Sequence, residues 1–189
     1  MQLNSFLASF RIFTDQEIEE ALGLFSKRSL KKGDYFIREG QLCSEVAFIE
    51  KGALRSFYVS PDGKEMTYCF RFPGEMVAAY SAFITGKGSV EYIQALSDVE
   101  MRVIPKEKID SLLSKSPSWI LFLKIIAEQQ YLEMEDRVFR LQRDSAPERY
   151  QNLLDNQPEY IQQISVQHLA SYLGITQRHL SRIRKQVVL

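Results

Sequence analysis

From Gly33 to Gly74 the chain never runs more than eleven residues without a glycine: Gly33, Gly40, Gly52, Gly63 and Gly74 are separated by 7, 12, 11 and 11 residues. Between them lie short stretches such as "EVAFIE" and "MTYCFRF", rich in β-branched and aromatic residues. Turns at this spacing leave room for strands of four to eight residues and exclude a helix of several turns, the rhythm of an all-β roll, barrel or sandwich. "PDG" at Pro61–Gly63 has the composition of a hairpin turn.

The pattern changes on both sides. Upstream, Thr14 and Glu17 have the spacing of a capping box, with Phe13 and Ile18 as a hydrophobic staple, so a short helix is expected to about Phe25. Downstream, Pro117 is placed as the first-turn proline of a helix reaching about Arg143. Steps of four and three along it pass through Phe122, Ile125, Gln129, Leu132, Asp136 and Phe139, four of them apolar. A helix of this length, about 40 Å at about 1.5 Å per residue, is more than a small domain buries, so this seam predicts a partner helix from a second copy. Packing lengthwise on the chain's own β domain is the alternative, and the polar Gln129 and Asp136 keep it open. Ser145 and Glu148 then open another helix with a second capping box, and Pro158 is expected to close that segment. The class is α+β, divided into residues 1–116, 117–143 and 144–189.

Charge narrows the partners. The chain carries 24 basic and 24 acidic residues, yet residues 137–189 hold eight Lys/Arg against four Asp/Glu. Only this end has the sign of a polyanion binder. Apolar runs such as "WILFLKIIA" are too short to span a bilayer and the amino terminus lacks a signal-peptide pattern, so a soluble, cytoplasmic protein without membrane contact is expected. Cys43 and Cys69 are isolated thiols, read as reduced core residues rather than metal ligands. "ITGKGS" fails the P-loop spacing, because Ser81 and Gly88 stand where Gly and Ser/Thr are required. No nucleophile–base–acid set accompanies the two histidines, so catalysis is not expected.

The most specific stretch is "ISVQHLASYLGITQRHLSRIRKQVVL". A helix-turn-helix needs a small residue where its helices cross, a turn glycine and apolar anchors on the second helix. Ala170, Gly174, Leu180 and Ile183 meet these needs, with Leu169, Leu173 and Ile175 as the facing core. Ser165 and Thr176 are the expected N-caps. The second helix then carries Gln177, Arg178, Ser181, Arg182 and Lys185, and no acid lies between Thr176 and Leu189. Arg and Gln can pair with base edges, while Lys, Ser and Thr can hold phosphates, so double-stranded DNA is the expected partner. His168 and His179 are read as helix-surface contacts.

The order of helix, glycine-punctuated roll, long helix and helix-turn-helix, with "FPGE" closing the roll and "LASYLGITQRHLSRIRK" at the end, resembles the Crp/Fnr family of bacterial transcription regulators. The resemblance covers nearly the whole chain. It implies a double-stranded β-helix roll of the cyclic-nucleotide-binding type, a homodimer along the long helix, a winged-helix DNA-binding domain reading a palindromic site, and RNA polymerase as a further partner. Gln177, Arg178 and Arg182 fall at the family's base- and phosphate-contacting places. Departures are equally specific. Gly74 and Glu75 match the family loop, but Ser89 and Val90 stand where Arg and Ser/Thr would hold a cyclic phosphate, and Met134 and Glu135 where hydroxyls would meet the base. The cysteines of the oxygen-sensing branch and the haem ligands of the gas-sensing branch are missing. Two residues follow the recognition helix, so the wing is expected to be short or absent. Cyclic AMP is therefore expected to bind weakly or not at all. An unidentified small-molecule effector would sit near Gly74, Glu75, Tyr80, Lys87 and Ser89, with Lys87 the one basic residue of the loop; a roll serving only as dimer scaffold is the other reading. A cyclic-nucleotide-type module acting through protein partners without DNA is the rival to the regulator.

Overall fold

The computed structural model describes residues 2–187. Two compact units emerge, Met1–Ser56 with Phe70–Ala127, and Phe57–Cys69 with Glu128–Leu189. This division differs from the linear one: it falls inside the long helix, and it places a hairpin tip of the roll with the carboxyl-terminal helices.

Among the described residues the strands are β1 (Ser26–Leu30), β2 (Tyr35–Ile37), β3 (Glu45–Lys51), β4 (Leu54–Val59), β5 (Glu65–Arg71), β6 (Met76–Val77), β7 (Tyr92–Ala95) and β8 (Val99–Pro105), and β2 to β5 fall one in each interval of the glycine rhythm. They form two four-stranded sheets, ordered β1-β8-β3-β6 and β2-β7-β4-β5. All five glycines of the rhythm have positive φ, which is why a side-chain-bearing residue would strain each turn. The two faces of β3 are both buried, as its unbroken apolar run requires. Ala47 and Ile49 join Leu54, Ile93, Val99, Met101 and Val103 inside the roll. Phe48 points the other way, into a second core with Leu3, Leu7, Ile104, Trp119 and Phe122.

That second core is built by helices. The capping box at Thr14 forms as expected and opens α2 (Asp15–Leu22). Two further helices, α1 (Leu3–Ser9) and α4 (Lys106–Lys115), escape a reading based on strand and turn spacing. In α4, Ile109, Leu112 and Leu113 stand three and four residues apart and face this core. α3 (Tyr80–Thr85) is the short helical turn of the roll's loop, and α5 (Pro117–Arg143) is the long helix, with both expected ends. Phe122, however, is 5% exposed, packed edge-on against Trp119 and Phe10. It belongs to the core of its own unit and not to an exposed seam, because the first turns of α5 are spent covering the aromatic side chains of α1.

The second unit contains α6 (Ala146–Asn156), α7 (Pro158–Gln163), α8 (Val166–Leu173) and α9 (Gln177–Val187). The Ser145–Glu148 capping box opens α6. Pro158 both ends α6 and starts α7, a correction to the single-helix reading: its fixed φ suits the first helical position. Tyr150, Leu153, Tyr160, Ile164, Leu169, Leu173, Leu180 and Ile183 are buried between these helices. The wing concerns residues after Val187, which lie outside the described residues. Among the described residues, no helix is long and apolar enough to cross a membrane.

Candidate nucleic-acid interface

Local chemistry sets the helix-turn-helix. Ser165 Oγ accepts from His168 N at 3.3 Å and Thr176 Oγ1 from His179 N at 3.2 Å, so each helix starts on a side-chain cap. Gly174 closes α8 in the left-handed conformation, φ +69°. Ala170 is buried at the crossing, and Leu169, Leu173, Leu180 and Ile183 fill the space between the helices. With its apolar side committed inward, α9 exposes Gln177, Arg178, Ser181, Arg182 and Lys185 together. Ser181 Oγ donates back to Gln177 O at 2.9 Å, which uses its one proton and leaves the hydroxyl as an acceptor.

The charge surplus of this end divides into two groups. Arg140 pairs with Asp136 at 2.5 Å and Arg143 with Asp144 at 2.9 Å. Arg137 Nη2 donates to Tyr172 O at 2.9 Å and Arg149 Nε to Leu173 O at 3.2 Å. Two arginines thus satisfy carbonyls at the carboxyl end of α8, where a helix leaves acceptors orphaned and its dipole favours cations. Arg178, Arg182 and Lys185 remain at the exposed face of α9. Sequence reasoning had no means of separating the structural arginines from the outward ones, because the carbonyls that bind them lie 24 and 35 residues away.

Along α5 the other expected positions differ in placement. Ile125 is half-buried, whereas Gln129, Leu132 and Phe139 are exposed. Tyr131, Met134 and Val138, absent from the expected seam, are exposed beside them. Tyr131 with Val138 and Leu132 with Phe139 are seven apart, so these apolar side chains recur on one side of the second half of the helix, with Glu135 among them.

The loop of the roll is arranged very differently. Ser89 is 3% exposed; its Oγ donates to Glu91 O at 2.9 Å and accepts from Glu91 N at 3.1 Å. Its backbone is zipped to the Gly40 turn: Gly40 N donates to Ser89 O at 2.7 Å and Ser89 N to Gln41 O at 2.8 Å. A Cβ at Gly88 would meet Gly40 O at 2.8 Å, so the two turns touch through backbone. Glu75 folds onto its own turn, where Oε2 accepts from Phe72 N at 2.5 Å and Oε1 lies 3.6 Å from Arg71 Nη1. Gly74 supplies the positive φ of that turn. Lys87 and Tyr80 are exposed. The Ser89 hydroxyl is thus engaged with the backbone of its own loop. Among the described residues, two buried charged residues of the roll were missed, Glu91 and Arg55; Arg55 on β4 is 1% exposed, with Nη2 donating to Gln94 Oε1 at 3.2 Å. Its only sequence signal is a lone arginine inside the otherwise strand-like "ALRSFYV".

Comparison with known proteins places this architecture. Residues 27–116 match the model of the cyclic nucleotide-binding domain. The transcriptional activator protein FnrA of Stutzerimonas stutzeri is 27% identical over 170 residues, covering 82% of this chain and 68% of that protein. FixK2 of Bradyrhizobium japonicum superimposes with a TM-score of 0.78 at 20% identity, over 86% of this chain and 84% of that one. The c-di-GMP responsive global regulator CLP of Xanthomonas campestris gives 0.73 at 20% identity, over 92% and 91%. Residues 27–116 thus match a cyclic nucleotide-binding domain, and most of the chain is similar to transcription regulators such as FnrA in sequence and FixK2 and CLP in fold.

Proposed function

We propose that this chain is a DNA-binding transcription regulator, acting as a homodimer on a two-fold symmetric duplex. The observation that carries the reading is α9 itself: its apolar side is buried, its start is capped, and its outward side presents Gln177, Arg178, Arg182 and Lys185 without an acid. Such a helix can enter a major groove, with Arg and Gln reaching base edges and Lys, Ser165 and Thr176 meeting phosphates. The exposed stripe of Leu132, Tyr131, Val138 and Phe139 supports a second copy along α5, which would present two such helices about 34 Å apart. Gel-shift titration with a palindromic duplex tests it. Arg178→Ala and Arg182→Ala should each cost about 1–3 kcal/mol of binding. Leu132→Glu with Phe139→Glu should give monomers in sedimentation and lose the palindrome. Unchanged binding by both arginine variants would remove α9 as the reading element, and a chain that binds no duplex would favour a module acting through proteins.

The sensor domain, in this reading, does not take a cyclic nucleotide in the family's usual way. Ser89 offers no cation, its hydroxyl is bound within the loop, and Lys87 stands outside on an exposed turn. A phosphate buried there would lack its charge-assisted partner. Calorimetry with cyclic AMP and cyclic GMP is expected to give weak or no heat; low-micromolar binding abolished by Lys87→Ala would assign the lysine the arginine's role instead.

A further inference from the structure

β5 is the last strand of its sheet, so one row of its N–H and C=O groups has no neighbouring strand. Residues two apart along a strand face the same edge. At Glu65 and Thr67 that edge is occupied by side chains from α8 and α5, all within the second compact unit. Ser171 Oγ donates to Glu65 O at 2.7 Å and accepts from Thr67 N at 2.9 Å. One hydroxyl thereby replaces the donor and acceptor that another strand would supply. Arg137 Nη2 donates to Thr67 O at 3.1 Å as well as to Tyr172 O at 2.9 Å, and its guanidinium lies 4.0 Å from the Tyr172 ring centroid. Thr67 is buried by these contacts.

We infer that Ser171 and Arg137 are positioning residues for DNA recognition: they clamp the open edge of β5 to the carboxyl end of α8 and so fix the direction in which α9 presents Gln177, Arg178 and Arg182. α8 and α9 move as one body, because the Gly174 turn and the buried Leu169, Leu173, Leu180 and Ile183 lock them together. Holding α8 therefore aims α9. The clamp grips the end of α8 and leaves the basic face of α9 exposed, which makes it a device for aiming rather than for blocking. β4 enters the hairpin two residues after the buried Arg55, so the strand that lines the roll is covalently continuous with the clamp.

The inference rests on the DNA-binding reading, and the test separates the two. The full chain is titrated with the duplex that wild type enriches from a random-sequence pool. Ser171→Ala, and Thr67→Pro, which deletes the N–H that Ser171 accepts, should each weaken binding about tenfold, as expected for losing one hydrogen-bonded pair. The double variant should be no weaker than the weaker single one, because Ser171→Ala already removes the hydrogen bond from Thr67 N together with the one to Glu65 O. Arg137→Lys should recover part of what Arg137→Ala loses. The dependence of affinity on salt should keep the wild-type slope in all of them, whereas loss of a phosphate contact lowers it by about 1. Spin labels at Lys64 and Gln186 should give one narrow distance distribution in wild type and a broadened one in Ser171→Ala. Wild-type affinity with an unbroadened distribution would overturn the clamp and leave DNA binding standing. If wild type enriches and binds no duplex, the DNA reading fails and the positioning role with it.

Discussion

α9 and the loop of the roll both carry polar side chains and a basic residue, yet they spend their polar atoms in opposite ways. On α9 the backbone is satisfied by the helix and the Thr176 cap, so Gln177, Arg178, Arg182 and Lys185 have nothing to do inside the unit and face outward. In the loop, Ser89 and Glu75 are consumed by backbone groups of their own turns, and Gly88 lies flat against Gly40. The buried Ser89 hydroxyl has spent its one proton within the loop and so has no donor left to offer an anion. Polar groups that still lack partners mark a candidate site; by that measure α9 is the candidate, while the loop forms a joint between the Gly40 and Gly88 turns.

Substitution can break this contrast at either end. The largest effect is expected from Leu180→Ala, which empties a fully buried position between α8 and α9. A loss of about 2–5 kcal/mol is typical of such a cavity, and it should remove duplex binding together with the helix-turn-helix, read by circular dichroism and gel shift. Duplex binding that survives with full affinity would mean that the helix pair is not the reading element.

Gly88→Ala should be smaller and should separate stability from binding. The new methyl would press on Gly40 O, backbone against backbone, at an expected cost of about 1–3 kcal/mol in denaturant unfolding. Affinity for DNA below the midpoint should not change. A loss of DNA binding in the still-folded protein would show that the joint signals to α9, and the contrast between the two regions would have to be redrawn.

The smallest effect concerns acid. Glu17 is held below its ordinary value, first by the hydrogen bond from Ser116 and then by the Thr14 cap, whereas α9 carries no carboxylate. A carboxyl whose folded pKa is lowered adds stability above its unfolded value near 4.5, and this is lost as pH falls through the lower folded value. Thermal unfolding of wild type and Glu17→Gln should therefore differ at pH 6 and converge as pH falls through the lowered folded value, by an amount that exposure keeps small. A gap that stays constant with pH would locate the effect in packing instead.

Much of this was written locally in the chain. The glycine rhythm dictated strand lengths, the Thr14, Ser145, Ser165 and Thr176 caps marked helix starts, and the Ala170–Gly174 spacing with its apolar anchors announced the helix-turn-helix, because each depends on residues within a few positions of one another. What only the tertiary structure decided involves partners far apart in sequence. Phe122 turned inward because α1 and its C-cap, more than a hundred residues earlier, supply Phe6 and Phe10 for it to cover. Pro158 opens a helix whose Tyr160 packs edge-on against Tyr172 of the following helix. The clamp on β5 joins Ser171 to Glu65 and Thr67 across 106 and 104 residues, and Arg137 to Thr67 across 70. No periodicity encodes those contacts: a serine and an arginine carry the same pattern value whether they face water or complete the edge of a sheet, and only folding brings the open edge to them.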